Sequence, residues 1–408
     1  MIDVVEEILA FNAGRDPERL AMKYARLRSG PEGFLRGTAH LYNVQLPREG
    51  FLYEAPLAWA CGDLHLENFG SYKADNRLVH FDINDFDDAL RAPATLDLLR
   101  LMTSALVSAE ALGIARDDAS ALCRSAIEIY AAALSSRKSL WVERETAKGV
   151  VGDLLNALGK RSRAAFLDSR TDLRNKQRSL RLDGEKALPI SKSERKRLDA
   201  FMEAFAEKQA DPRFFRLVDA ARRISGNGSL GVARYILLVR GAGGSEGNYL
   251  LDLKAAQPSS MASTLVLAQP EWVSEAERVV KVQACMQANM IAMLHAVDFD
   301  GHASVLRELQ PAQDRVELAQ CHRRPKRLRG LIETEAAVLG WAQLRASGHY
   351  GAACGDALAL FGEATHWRRP LLALAEQCAA RVQDSWACYA SAYDKGVFRL
   401  ESGRSPKP

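Results

Sequence analysis

An aspartate, a histidine and an asparagine stand close together in "CGDLHLENFG" (61–70), and a run of carboxylates follows in "VHFDINDFDDAL" (79–90). Asp63, His65 and Asn68 occupy the first stretch; Asp82, Asp85, Asp87 and Asp88 occupy the second. Carboxylates this dense form a metal-phosphate site, a catalytic loop or a solvated turn. Magnesium needs only one or two carboxylates, because water and phosphate oxygens complete its shell. A neighbouring aspartate can accept the proton of an attacking hydroxyl. Paired carboxylates also suit glycoside hydrolysis, but that chemistry gives no role to the glycines and lysine further along the chain.

Gly226, Gly228 and Gly231 make a G-x-G-x-x-G that runs into the β-rich stretch "VARYILLV". A dinucleotide site needs a strand, then the glycines, then a helix. A glycine turn between two strands instead covers phosphates, as in kinases, and Ser229 adds a hydroxyl at its tip. Lys254 lies in "YLLDLKAA", where Leu251 and Leu253 point one way and Asp252 and Lys254 the other. Such a lysine reaches a triphosphate as a point charge. Glu275 and Glu277, on the helix that follows, are both candidates to hold it. Asp63 and Asn68 are spaced like the catalytic-loop aspartate and asparagine of kinases. Asp63 is thus expected as base, with Asn68 and Asp85 as magnesium ligands and Asp82 as a competing metal aspartate.

"GDLHLENFG" resembles the catalytic loop of aminoglycoside phosphotransferases and related small-molecule kinases, and "NDFDDALRAPATLDLLRL" resembles their metal loop. That resemblance implies that Asp85 is the metal aspartate, that Asp97 braces the loop from a helix start, and that His65 braces it from within. More broadly, "FLRGTAHLY", "DLHLENFG", "FDINDFDDA", "GSLGVARYILLV", "LLDLKAA", "ERVVKVQACMQ" and "VLRELQP" resemble the bacterial family known as domain of unknown function 2252. It implies a protein-kinase-like fold. Ordinary kinases place glycines and lysine ahead of the catalytic loop; here the loops at 63 and 85 come first, so a permuted order is expected.

The elements that must position these residues read as α+β. Short helices broken at Gly14, Pro17, Gly30-Pro31 and Pro47 fill residues 1–55. "NRLVHFDI" is a short strand, and two helices follow, broken at Gly113. Residues 160–197 are rich in Lys and Arg with little aromatic content, which predicts a solvated, partly mobile connection. "VARYILLV" and "NYLLDLKAA" predict a hairpin, "PEWVSEAERVVKVQACMQANMIAMLHA" a helix, and "ASVLRELQP" a further strand. Helices are expected from about 326, then a disordered tail, "ESGRSPKP". The expected division is a helical large lobe (1–215) with both acidic loops, a small β-rich lobe (216–311) and C-terminal helices (312–408).

The 408 residues, 48% hydrophobic and 26% charged, allow a large core. A net charge of +4 is too small to imply a nucleic-acid partner. Seven cysteines stand singly with no C-x-x-C pair, which argues against a disulfide framework or zinc knuckle. No apolar run long enough for a membrane span and no signal-like start is present, so a cytoplasmic protein is expected. Lys23 and Arg36 are possible contacts for an anionic substrate. The pattern points to an ATP- and Mg²⁺-dependent phosphotransferase acting on a hydroxyl acceptor. A nucleotide-binding pseudokinase that regulates a partner, or an AMP transferase on the same fold, would use the same residues.

Overall fold

The computed structural model describes residues 2–159, 162–262, 264–265, 267–311 and 315–399; the expected disordered tail lies outside the described residues. The N-terminal helices are α1 (Val4–Phe11), α2 (Pro17–Arg28), α3 (Pro31–Gly37) and α4 (Ala39–Val44). Asp3 caps α1 through the amides of Val5 and Glu6, and Asp16 caps α2, which starts at Pro17.

Four short strands then frame the acidic segments. β1 (Leu57–Ala60) pairs antiparallel with β4 (Leu90–Pro93), and β2 (Phe69–Lys73) pairs antiparallel with β3 (Val79–Ile83). Loop 61–68 leaves β1 for β2, and loop 84–89 leaves β3 for β4, so the two hairpin-like pairs bring both loops to one end. Helices α5 (Thr95–Ala109) and α6 (Arg116–Ser135) follow, with Gly113 at φ +64° in the break. They pack against α11 (Pro325–Arg345), α12 (Gly355–Glu363) and α13 (Arg368–Asp394). One apolar core joins these helices to α1–α4 and to the loop strands. Among the described residues no helix is long and apolar enough to cross a membrane.

Residues 162–197 are more ordered than the charge of the stretch predicts. After α7 (Gly149–Gly159) the chain forms α8 (Arg163–Asp168), a hairpin of β5 (Thr171–Arg174) and β6 (Gln177–Leu180), β7 (Ala187–Leu188) and the start of α9 (Lys192–Glu207). The basic side chains there are held: Arg178 bonds Ser245 O at 2.7 Å and Thr171 Oγ1 at 2.9 Å, and Arg163 bonds Asn248 O at 2.9 Å.

The remaining strands are β8 (Leu217–Arg223), β9 (Arg234–Val239), β10 (Tyr249–Ala255), β11 (His295–Phe299) and β12 (His302–Glu308), with α10 (Glu275–Met286) between β10 and β11. They curl into a six-stranded antiparallel sheet in the order β11-β12-β10-β9-β8-β7. The sheet therefore recruits residues well before 216. The helix expected through residue 296 stops at Met286, because the chain turns extended at Gln287 and the Ala288 amide donates to Asp82 Oδ2 at 2.9 Å.

Alternation sorts the sheet's two sides. Tyr235, Leu237, Val239, Leu251, Leu253 and Leu306 face α9, where Leu198, Met202 and Phe205 cover them. The other side carries Arg234, Asp252, Lys254 and Arg307, related by the pairings 254↔234 and 252↔307. Asp252, 2% exposed, receives Arg234 twice (2.8 and 2.6 Å) and Arg223 at 2.5 Å, with Arg307 at 3.9 Å. Burial alone would raise its pKa; the arginines drive it far below the usual carboxylate range. Removing one partner from such a buried network leaves uncompensated charge. Asp252→Ala is expected to lower unfolding free energy by about 3–5 kcal/mol, read by urea denaturation; a loss under about 1 kcal/mol would show the network to be dispensable.

Candidate active-site cleft

Gly62 sets the shape of the first loop. Its φ is +87°, and a Cβ there would meet Asp88 O at 2.1 Å, so only glycine lets loop 61–68 press against loop 84–89. Asp97, at the start of α5, holds the same point: its carboxylate accepts the Cys61 amide at 2.7 Å and the Gly62 amide at 3.0 Å. Burial raises the Asp97 pKa to about 6 against the pull of those two N–H groups. His65 Nδ1 accepts the Glu67 amide at 3.2 Å. Burial, with Arg36 and Arg100 nearby, drives its pKa well down, so it braces the loop as a neutral ring.

Asp63 follows that anchored turn. Both hydrogen bonds from Arg100, one of them at 2.8 Å from Nε, fall on Asp63 Oδ1, and Arg100 is fixed in turn on Leu35 O at 2.8 Å. Oδ2 is left for the cleft. Burial pushes the Asp63 carboxyl up to about 7, opposed by Arg100 and helped by Asp88 and Asp85. Asn68 turns its Nδ2 toward the carbonyls of Asp63 (3.3 Å) and Asp85 (3.4 Å), which leaves its amide oxygen as an acceptor.

In the second loop, burial would raise the Asp85 pKa, but Lys254, Arg307, Arg234 and Arg315 together hold it below the usual carboxylate range. The competing Asp82 lies elsewhere: 1% exposed, it accepts the Ala288 and Ile83 amides and sits 3.6 Å from Arg345. Of the two, Asp85 lines the cleft. Lys254 makes its ion pair with Asp87. The expectation that Glu277 or Glu275 would hold Lys254 is therefore corrected. Both sit in the first turn of α10, where Glu277 pairs with Lys281 at 2.6 Å and Glu275 with Arg278 at 2.6 Å. Helix α10 acts on the site through Arg278 instead, which bonds Ala89 O, Asp87 O (2.8 Å) and Gln257 O (2.9 Å) and so ties the acidic loop to the chain leaving β10.

The glycine turn joins the same cleft. Gly226, Gly228 and Ser229 line it; Gly231 does not, since its α-carbon faces Arg15, whose Cβ would lie 2.8 Å from an added Cβ. The turn's carbonyls are held from behind. Arg26 bonds Gly226 O at 2.9 Å, Arg15 and Lys23 bond Gly228 O at 2.7 and 2.9 Å, and Arg19 bonds Val232 O at 2.9 Å. Among the described residues no hydrogen bond uses the amides of 226–231 as donors. The turn's N–H groups are thus free among the described residues, while Arg15, Lys23 and Arg26 hold its carbonyls. Lys23 is fully buried in this role and Arg36 pairs with Glu67, so neither is a free substrate contact.

The result is a solvent-open cleft of about 1050 Å³, in which Asp63, Asn68, Asp85, Lys254 and the glycine turn meet. Arg100, Arg278 and Arg315, and the pairing of Asp87 with Lys254, escaped the sequence reading. The spacing of Arg19, Lys23 and Arg26 on one helical face is the signal that could have revealed the cations behind the turn. Among the described residues no group of three or more His, Cys, Asp or Glu side chains is drawn together as a metal cage.

No curated protein and no solved structure matches this chain. The family described as "Uncharacterized protein conserved in bacteria (DUF2252)" matches residues 15–392. That span takes in both acidic loops, the glycine turn, Lys254 and the helices around them, and the chain belongs to the DUF2252 family.

Proposed function

We propose that this protein is an ATP- and Mg²⁺-dependent phosphotransferase acting on a hydroxyl acceptor, on a kinase-like two-lobed fold of permuted order. The observation that carries this reading is the convergence of Asp63, Asn68, Asp85, Lys254 and the free amides of the glycine turn on one cleft from distant parts of the chain. Glycine turn, lysine strand and helix follow one another from β8 to α10 as they do in kinases, whereas the two acidic loops precede them.

The residues present fit magnesium held by phosphate. Asp85 is kept ionised by its cationic neighbours, and the Asn68 amide oxygen is free to join it. One carboxylate, one amide oxygen and no closed cage is what an ion that keeps its waters and leans on phosphate requires. When bound, the ion would neutralise charge on the phosphates. The chain's own residues do the rest. Lys254 exchanges its pairing with Asp87 for a phosphate oxygen. The amides of 226–229 donate to the triphosphate, with the cations of α2 behind them favouring negative charge. Asp63 Oδ2 takes the proton of the acceptor hydroxyl as the new P–O bond forms and ADP leaves, while Arg100 fixes the carboxylate's orientation.

Asp85→Ala is expected to abolish Mg²⁺-dependent ATP binding by calorimetry, whereas Asp63→Ala keeps that binding and loses about 10²–10⁴-fold in turnover, followed as ADP release. Unchanged Mg²⁺-ATP affinity in Asp85→Ala would sink the metal assignment. The pH profile supplies a second test. Asp63 works deprotonated, so turnover is expected to be low below pH 6, to rise through about 7 and to level off above it. A profile flat from pH 5.5 to 8.5 would remove Asp63 as base.

A further inference from the structure

On the side of the curled sheet that turns toward Asp85, the apolar Ile236, Leu238 and Leu250 are covered by Leu167 and Leu180, and the part nearest Asp85 is charged where a nucleobase would need an apolar platform. Residues two apart on a strand share a face, so Asp252 and Lys254 stand together on β10, with Arg234 opposite Lys254 and Arg307 opposite Asp252. Arg223 of β8 completes the group on Asp252. Arg307 is the least committed of the three arginines, 3.9 Å from Asp252 and 3.2 Å from Asn84 O.

Arg315 closes the cleft from another direction. Its segment bridges Gly70 of β2, with the Val316 amide donating to Phe69 O at 3.3 Å. Arg315 lines the cleft, and its guanidinium has no ion pair or hydrogen bond among the described residues. Asp85, Arg234, Arg307 and Arg36 are the charges that face it. The cleft's lining carries Arg15, Arg36, Lys254 and Arg315 against Asp63, Glu67, Asp85, Asp87 and Asp88. Of those cations Arg15 is bonded to Gly228 O, Arg36 is paired with Glu67 and Lys254 with Asp87, whereas Arg315 has no side-chain partner among the described residues. A partly buried cation without a partner is costly until an anion arrives. Of the cleft's apolar lining, Phe11, Ala39 and Val232 come from α1, α4 and the chain just after the glycine turn, and Ala255 and Pro258 from the end of β10 and the chain leaving it.

We propose that the cleft recognises its donor by the polyphosphate chain and not by the base, with Arg315 taking phosphate oxygens beside Lys254. The ligand class is then a magnesium polyphosphate: any nucleoside triphosphate, and inorganic tripolyphosphate as well. This rests on the phosphotransferase reading for the location of the phosphates and goes beyond it in donor specificity. Arg315 suits the task because a guanidinium offers a planar fork of donors to phosphate.

The test is calorimetric titration of the full chain, with Mg²⁺ present, by ATP, GTP, CTP, UTP, inorganic tripolyphosphate and adenosine. The four nucleotides and tripolyphosphate are expected to compete for one site with dissociation constants within about tenfold of one another, and adenosine to give no heat. Arg315→Gln is expected to weaken all five by a similar factor of about tenfold or more, and Arg315→Lys by less. Since the Arg315 guanidinium has no partner to orphan among the described residues, the melting temperature of the ligand-free Arg315→Gln protein should match that of the wild type. ATP binding about a hundredfold or more tighter than tripolyphosphate, or Arg315→Gln binding like the wild type, would overturn the inference while leaving the phosphotransferase reading intact. Tripolyphosphate binding without any nucleotide would support charge recognition and remove ATP as donor. No binding by any of the six would overturn both.

Discussion

The pairing of the buried Lys254 with the half-buried Asp87 of the acidic loop is the contact on which this structure turns. A lysine on the central strand of the sheet meets a carboxylate from a loop that leaves the opposite, mostly helical half of the molecule. Burial lowers the Lys254 pKa, Asp85 raises it, and Arg307 and Arg315 oppose Asp85. An ion pair so placed contributes little net stability, because desolvation offsets most of its attraction. Its effect is positional: it sets where the sheet stands relative to loop 84–89, and hence where phosphate could lie.

Two further constraints make that position rigid. Asp97 and Gly62 lock the first loop onto the second, and Arg278 locks the second onto the chain leaving β10. The glycine turn, which as a free hairpin would be mobile, is fastened by its carbonyls to Arg15, Lys23 and Arg26, and the residue after it, Val232, to Arg19. Fixing the carbonyls fixes the direction of the amides. On the proposed reading, a turn fixed this way is organised before an anion arrives, so little ordering entropy remains to be lost on binding.

Much of this was legible in the sequence because it depends on local rules. Period-two alternation separated Leu251 and Leu253 from Asp252 and Lys254, and the Pro and Gly breaks marked α1–α4 and the α5–α6 turn. The placing of Asp97 on the loop amides also followed from a motif. The partner of Lys254 did not, because it depends on how two distant segments dock. The expected glutamates lie in the first turn of α10, where capping geometry and (i, i+4) pairing with Lys281 claim Glu277. The basic stretch at 160–197 misled for a related reason. Charge suggested solvent exposure, but Arg163 and Arg178 spend their donors on backbone carbonyls of the β9–β10 hairpin. Arg315 had no local signal at all, since its significance lies in the charges gathered around it.

The central claim is that one cleft binds magnesium-complexed triphosphate through Asp85, Asn68 and Lys254. Thermal unfolding of the wild-type protein with ATP, in the presence and then the absence of Mg²⁺, tests it most directly. A ligand at about a hundred times its dissociation constant stabilises the folded state by about 2.7 kcal/mol, which raises the melting temperature by a readable amount. The account predicts a shift with ATP and Mg²⁺ together and little or none with ATP alone. An unchanged melting temperature at millimolar ATP and Mg²⁺ would contradict it and leave the acidic loops as structural turns.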